Sequence, residues 1–391
     1  MRDMVSFPYR DYTDASPQTS WRRSYEELKA AHFPISALDA GMLSPVDPTP
    51  TSPTPPVMVV QANFINGGLL LTTSIHHSAL DATGFATVHK IWANHCRRAY
   101  NTGGMVSLTT PNWRAMDRSM LMKGHAEANI RDSPVFRVRN GLELTVTERA
   151  GMVRACPAKE IAIFYFSPSR LAQLKLAASS ENPTDSWIST NDALCALLWR
   201  HISRARGFGS LDSGGPGTLP VQFTLVVQGR QRLAPPLSEE MLGNVITLCP
   251  ATLDINTLTS PSSPLYHVAS MLRKAINKID SAYLRATIGM IDSVSDLQNL
   301  EVSVFDNPLR DLLVSSWSDL GLLQVDWGQG VGRPEYIRVT QQPSTGGIGG
   351  AGIFPRLLDG GLEVLIGVEA ETMKRLRADE DFLRYAEWRC T

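Results

Sequence analysis

The stretch Leu69 to Gly84, LLLTTSIHHSALDATG, limits the possible folds of this chain more than any other. Seven residues of strand character run into His76 and His77, Asp81 follows four residues after His77, and a segment of helical periodicity begins at once. Just upstream, Val57 to Ile65 alternates as a strand and Asn66-Gly67-Gly68 supplies positive-φ turn chemistry, so the two strands form a hairpin with the histidines at its far end. Successive strand residues face opposite sides, so only one of the two imidazoles faces a given cavity, and the other is structural. Histidine takes up and returns a proton near neutral pH, and a strand end holds it rigidly, which suits a general base. The competing reading is a packed, hydrogen-bonded histidine, with Asp81 capping the next helix by accepting from the amide of Thr83 or Gly84.

From Ala82 to Tyr100, Phe85, Val88, Trp92, Cys96 and Ala99 recur at spacings of three and four, which predicts an amphipathic helix packed on the sheet. His89 and His95 on it read as surface or packing residues. Residues 1 to 56 form a peripheral entry segment with a short helix around Ser24 to Ala31, then a surface loop in which Pro45, Pro48, Pro50, Pro53, Pro55 and Pro56 alternate with Thr and Ser. Residues 101 to 160 are irregular. Ile161 to Phe166 is a strand; Ser167 and Pro168 open a helix carrying Leu171, Leu174 and Leu176; Glu181 to Ser186 is a linker. Ser189 and Asp192 make a capping box for a helix reaching about Arg206. Leu219 to Val227 alternates as a strand and leads into Gly229-Arg230-Gln231-Arg232. Two helices fill Leu265 to Ser293, and strands follow at Leu312 to Trp317, near Tyr336 to Thr340 and at Leu362 to Val368. A helix from Glu371 to about Arg389 closes the chain. Strands and helices alternate without a strict βαβ repeat, so the expectation is α/β with mixed sheets.

At 391 residues there is room for two cores, and the linker divides the chain into a lobe of residues 1–180 and one of 181–391. Lys+Arg total 37 against Asp+Glu 38, so the charge balance offers no general attraction to nucleic acid or an anionic membrane. Cys96, Cys156, Cys195, Cys249 and Cys390 contain no CxxC, so neither a disulfide framework nor a zinc site is expected, and His125, His201 and His267 share no metal-ligand spacing. No stretch has the ~18 apolar residues of a membrane span and Met1 to Tyr12 has no apolar leader core, so a cytoplasmic enzyme is expected. Gly347-Ile348-Gly349-Gly350-Ala351-Gly352 matches GxGxxG, but no helix follows; it reads as a turn and not a dinucleotide site.

His76-His77-Ser78-Ala79-Leu80-Asp81 resembles the HHxxxD signature of the acyl-CoA-dependent BAHD acyltransferases and their fungal branch. Asp326-Trp327-Gly328-Gln329-Gly330 resembles that family's second motif, with Trp327 and Gln329 departing from the usual Phe and Trp. Ser189-Thr190-Asn191-Asp192, Gly229-Arg230-Gln231-Arg232 and Gly243-Asn244 fall in the family's order, so the resemblance runs from about residue 20 to the end. It implies two chloramphenicol-acetyltransferase-like lobes with a channel between them, His77 as the base, and Asp81 turned away from the channel in an ion pair that orients the loop. It also implies that Asp326 of the structural second motif, with Trp327, Gly328 and Gly330, pairs with an arginine of the central region, Arg230 or Arg232.

The expected function is transfer of an acyl group, acetyl in the first instance, from acyl-CoA to a hydroxyl of a small secondary metabolite. His77 deprotonates the alcohol in a ternary complex, since there is no GxSxG elbow to carry an acyl-enzyme. Acyl-CoA is a co-substrate and no bound cofactor is implied. The alternatives are a condensation-type enzyme that takes its acyl group from a carrier protein, or a silent binding relative. Relatives carry a further strand and helix ahead of what is here Met1, so the first lobe is expected to be shortened. An uncovered sheet edge would then favour association of an otherwise monomeric chain.

Overall fold

The computed structural model describes residues 7–13, 21–44, 56–101, 103, 116–125, 127–138, 159–182, 187–207, 219–302, 309–340 and 349–391. The elements in the first half are β1 (Tyr9–Asp11), α1 (Tyr25–Ala30), α2 (Ala40–Leu43), β2 (Met58–Ile65), β3 (Gly68–Ile75), α3 (Ala82–Asn101), β4 (Phe136–Val138), β5 (Lys159–Phe166) and α4 (Pro168–Ala177). The second half contributes α5 (Thr190–Ala205), β6 (Pro220–Gln228), β7 (Ile246–Asp254), α6 (Ile255–Thr259), α7 (Leu265–Asn277), α8 (Ser281–Asp292), β8 (Leu300–Val302), β9 (Leu312–Ser316), β10 (Gly350–Ile353), β11 (Leu362–Glu369), α9 (Ala370–Arg377), α10 (Glu380–Leu383) and β12 (Glu387–Cys390).

The hairpin forms as expected: β2 and β3 pair antiparallel with Met58 opposite Ile75, closed by a turn in which Gly67 has φ 84°. With β1 parallel to β2 they make a three-stranded sheet in the order β1-β2-β3, so β3, the strand that delivers the histidines, ladders on β2 alone among the described residues. The larger sheet has the order β12-β5-β11-β10-β9-β6-β7, parallel at β10/β9 and β9/β6 and antiparallel elsewhere. Its core centres on α5, which is buried almost all round: Leu194, Leu197, Leu198 and Trp199 pack on Phe164, Phe223 and Ile366. A helix apolar on every side has to lie inside the fold. Among its buried polar side chains, Arg200 donates to the Leu258 carbonyl at 2.9 Å, His201 pairs with Asp379 at 2.6 Å, and Asp192 takes the Arg273 guanidinium.

Several expectations are corrected. β5 and α4, assigned to residues 1–180, belong to the larger sheet and its core: β5 ladders on β11 along its whole length and on β12 from its other side. The chain also crosses back, since Lys29 pairs with Glu335 at 2.6 Å and Tyr336 packs on the cluster of Trp21, Phe33 and Ile65. A single cut at 180/181 therefore does not describe the packing. Tyr336 to Thr340 joins no ladder among the described residues. Arg338 instead forks onto the fully buried Glu363 of β11 (2.7 and 3.1 Å) and donates to the carbonyls of His32 and Phe33, with Arg389 also on Glu363 at 2.8 Å. The closing helix breaks after Arg377, because Asp379 turns its carboxylate onto the Phe382 amide to start α10, and the chain ends as strand β12. Gly350 to Ile353 of the glycine-rich run is a strand inside the sheet, while Gly347 and Ile348 lie outside the described residues, as do Pro45 to Pro55 and the centre of the 181–186 linker.

Candidate active site

β3 ends at Ile75, and the ladder continues one residue further through the His76 amide, which donates to the Val57 carbonyl at 2.8 Å. His77 is therefore the first residue past the sheet. Both histidines are exposed, so the in-or-out separation expected from strand alternation is replaced by a difference in bonding. His76 Nδ1 meets the Ser78 hydroxyl at 2.7 Å and accepts from the Ser78 amide at 3.3 Å, closing a local turn. The His77 ring has no hydrogen-bond partner among the described residues, but its main-chain oxygen accepts from Asn244 Nδ2 at 2.7 Å. One imidazole is tied up in the turn and the other is open.

Asp81 is 2% exposed and reconciles the two readings made of it. It caps α3, with Oδ1 accepting from the Gly84 amide at 2.9 Å, and it is forked by Arg230, Nη1 to Oδ2 at 2.7 Å and Nη2 to Oδ1 at 3.0 Å. Oδ2 also accepts from the Val245 amide at 2.8 Å. Arg230 is fully buried and spends its other donors on the carbonyls of Met241 and Gly243, at 2.9 and 3.0 Å. A buried ion pair with its remaining donors satisfied is the arrangement that offsets desolvation. This joint welds the HHxxxD loop to the 241–245 segment. Arg118 adds longer contacts across it, to the carbonyls of Ala79 and Leu242 at 3.4 and 3.3 Å.

The pairing expected of Asp326 is therefore corrected. Arg230 belongs to Asp81, and Arg232 donates to the carbonyls of Ile276 and Ile279 at 3.1 and 2.8 Å. Asp326 is part-exposed, faces Arg97 of α3 at 3.8 Å and accepts from the Gly328 amide at 2.9 Å. The physical work of this motif is done by its neighbours. Trp327, 7% exposed, sits edge-on to Trp92 with centroids 4.9 Å apart, in a small cluster with Ala93 and Val325. Gly328 adopts φ 93° where a Cβ would lie 3.1 Å from the Arg97 Cα, so only glycine lets the turn lie against α3. Gly330 lies over the Tyr100 ring. The motif is a clamp on the helix that starts at Asp81.

Two substitutions separate these contributions. Asp326→Asn is expected to cost no more than about 1 kcal/mol in thermal unfolding, as for an exposed ion pair. Gly328→Ala is expected to cost more, because the left-handed conformation alone penalises a Cβ by about 1–2 kcal/mol before the contact with Arg97 is counted. A larger loss in Asp326→Asn than in Gly328→Ala would reverse the assignment.

Asn244, Arg118 and the buried Asp81–Arg230 pairing were not assigned these contacts by the sequence; Asn244 was visible only as part of a Gly-Asn landmark, and Arg118 carried no signal. No group of three or more His, Cys, Asp or Glu able to hold a metal is found among the described residues. Burial raises the thiol pKa of Cys96, Cys195, Cys249 and Cys390, the last two to about 11 each, so none of these is poised as a thiolate nucleophile. No helix among the described residues is long and apolar enough to cross a membrane.

The geometry has close relatives. An acyltransferase of Botryotinia fuckeliana is 30% identical over 378 residues, covering 94% of this chain and 78% of its own length. An eremophilane O-acetyltransferase of Penicillium roqueforti is 30% identical over 397 aligned positions, covering 95% of this chain and 80% of its own. The crystal structure of Fusarium sporotrichioides TRI101, a trichothecene 3-O-acetyltransferase, solved with coenzyme A and T-2, superposes with a TM-score of 0.78 at 24% identity over 98% of this chain and 81% of that one. It shares the two-lobed fold. The Transferase family model matches residues 26–383, and with HHxxxD and the DWGQG turn inside that span the chain belongs to the Transferase family, the BAHD-type acyltransferases.

Proposed function

We propose that this protein transfers an acyl group, acetyl in the first instance, from acyl-CoA to a hydroxyl of a small secondary metabolite, with His77 as general base. The observation that carries the proposal is the exposed His77 imidazole, without a hydrogen-bond partner among the described residues, on a loop whose far end is fastened by the buried Asp81–Arg230 fork. The names of the fungal relatives, acyltransferases and O-acetyltransferases, support the donor and acceptor classes.

In this reading acyl-CoA and the alcohol reach His77 from opposite mouths of an interlobe channel. The imidazole accepts the hydroxyl proton as the alcohol oxygen attacks the thioester carbonyl. The tetrahedral intermediate collapses with cleavage of the C–S bond, and the imidazolium returns its proton to the departing thiolate. A positioned base of this kind is worth about 10²–10⁴-fold. Asp81 touches neither substrate and acts by holding the loop. The high thiol pKa values of the described cysteines favour direct transfer over a cysteinyl acyl-enzyme.

The test is a panel of acyl-CoA donors against an extract of hydroxylated fungal metabolites, with product mass and released CoA as readouts. Acylated product formed from free acyl-CoA is expected. Product formed only when the acyl group is presented on a carrier protein would move the assignment to condensation-type chemistry, and ligand binding without product from either donor would make the chain a silent relative.

A further inference from the structure

His89 is buried at 7% exposure in the second turn of α3, and both of its ring nitrogens are engaged. Nδ1 lies 2.8 Å from the Phe85 carbonyl, which can only accept, so Nδ1 carries the proton. In the neutral ring Nε2 is then an acceptor, and the Thr73 hydroxyl of β3 donates to it at 3.0 Å. Burial pushes the imidazole below its usual range, in keeping with a neutral ring. Aromatic rings flank it: Phe85 with centroids 4.1 Å apart, and Trp92 and the second-motif Trp327 at 6.2 and 6.3 Å. No assigned role uses this histidine.

Its position is informative because β3 is held on one side only. Among the described residues it ladders with β2 and with no other strand, so its C-terminal end needs another restraint to carry His77 at a fixed height. Thr73 and Ile75 share one face of β3 by the two-residue repeat, and the Thr73–His89 bond ties that face to α3 four residues before His77. The other end of the loop is tied to the start of the same helix by Asp81. Trp327 packs against the rings around His89, so the clamp of the second motif bears on this tie.

We propose that Thr73 and His89 are positioning residues for His77, a hydrogen-bonded bolt between the delivering strand and α3 through which the second motif supports the reacting group. The proposal rests on the reading of His77 as base, and a measurement that does not need turnover keeps the two separable.

Thr73→Val removes the hydroxyl at nearly constant shape, His89→Ala removes the ring, and His89→Gln restores an amide oxygen able to accept from Thr73. With histidine labelled at 13Cε1, the His77 signal, assigned by its loss in His77→Ala, is expected to be sharp in the wild type and His89→Gln. It is expected to broaden or split in Thr73→Val and His89→Ala. Acyl transfer from acyl-CoA to the hydroxylated acceptor found in the metabolite screen should follow, read as CoA release: kcat down about tenfold in Thr73→Val and His89→Ala, with KM for acyl-CoA within about twofold, as misplacement of a reacting group predicts, and with recovery in His89→Gln. An unchanged His77 signal in Thr73→Val and His89→Ala, or His89→Gln as impaired as His89→Ala, would overturn the bolt while leaving the general-base reading in place. Absence of CoA release in the wild type would count against the general-base reading, and the labelled His77 signal would still decide the bolt.

Discussion

Turnover is expected to fall by about 10²–10⁴-fold in His77→Ala while the thermal midpoint hardly moves. The ring is exposed and makes no hydrogen bond among the described residues, so its removal leaves neither a cavity nor an orphaned partner. Surface replacements of that kind stay within about 0.5 kcal/mol. The main-chain oxygen that Asn244 holds is untouched by the substitution. His76→Ala is the matched control: it loses the Ser78 contacts, loosens the turn and should cost a factor of a few in kcat. Steady-state kinetics on both variants, with circular dichroism to establish the fold, checks the pair. If His76→Ala loses turnover in a folded protein and His77→Ala keeps it, the base is His76 and the open ring at His77 is incidental.

What the sequence revealed of this site follows from where its information is local. Strand alternation and the Asn-Gly-Gly turn place the β2–β3 hairpin to within a residue, and the capping box at Ser189 forms with its acidic partner Asp192. These depend on neighbours a few positions apart. Strand β10, Gly-Ala-Gly-Ile, has no side-chain pattern that marks a strand; it exists because β9 and β11 on either side offer ladders. The short β4 and β8 are legible only as each other's partner.

Charge pairing is the clearest case of information that is not local. A family resemblance offered Arg230 or Arg232 as the partner of Asp326, and neither is, because the list of charged residues does not contain their distances. Arg230 lies 149 residues from Asp81, and the match is made by burial: Arg230 is fully enclosed, Asp81 is almost so, and Asp326 is not. Two buried charges find each other because neither has another way to offset desolvation. Likewise Glu363 sits unmarked in the middle of an apolar strand until Arg338 and Arg389 converge on it.

The largest loss of stability is therefore expected at the Asp81–Arg230 joint. Arg230→Met leaves the Asp81 carboxylate buried with two amide donors and no countercharge, which typically costs about 3–5 kcal/mol. Asp81→Asn is no gentler despite its shape: one amide hydrogen-bonding face must now meet the Val245 amide and the Arg230 guanidinium, donor against donor. Arg230→Lys keeps a charge but cannot fork, and should fall between these and the wild type. In the Asp81→Asn, Arg230→Met double variant no charge is left unpaired, so its loss should be smaller than the sum of the two singles by more than about 1 kcal/mol, the signature of direct coupling. Activity should not recover with stability. The loop of His77 is aligned by this pair, so the double variant is expected to bind acyl-CoA and turn it over poorly even well below its unfolding midpoint. Additive stability losses would mean that the two side chains do not interact in solution, and full activity in the double variant would mean that the Asn244 contact and the Thr73–His89 bond are enough to hold His77.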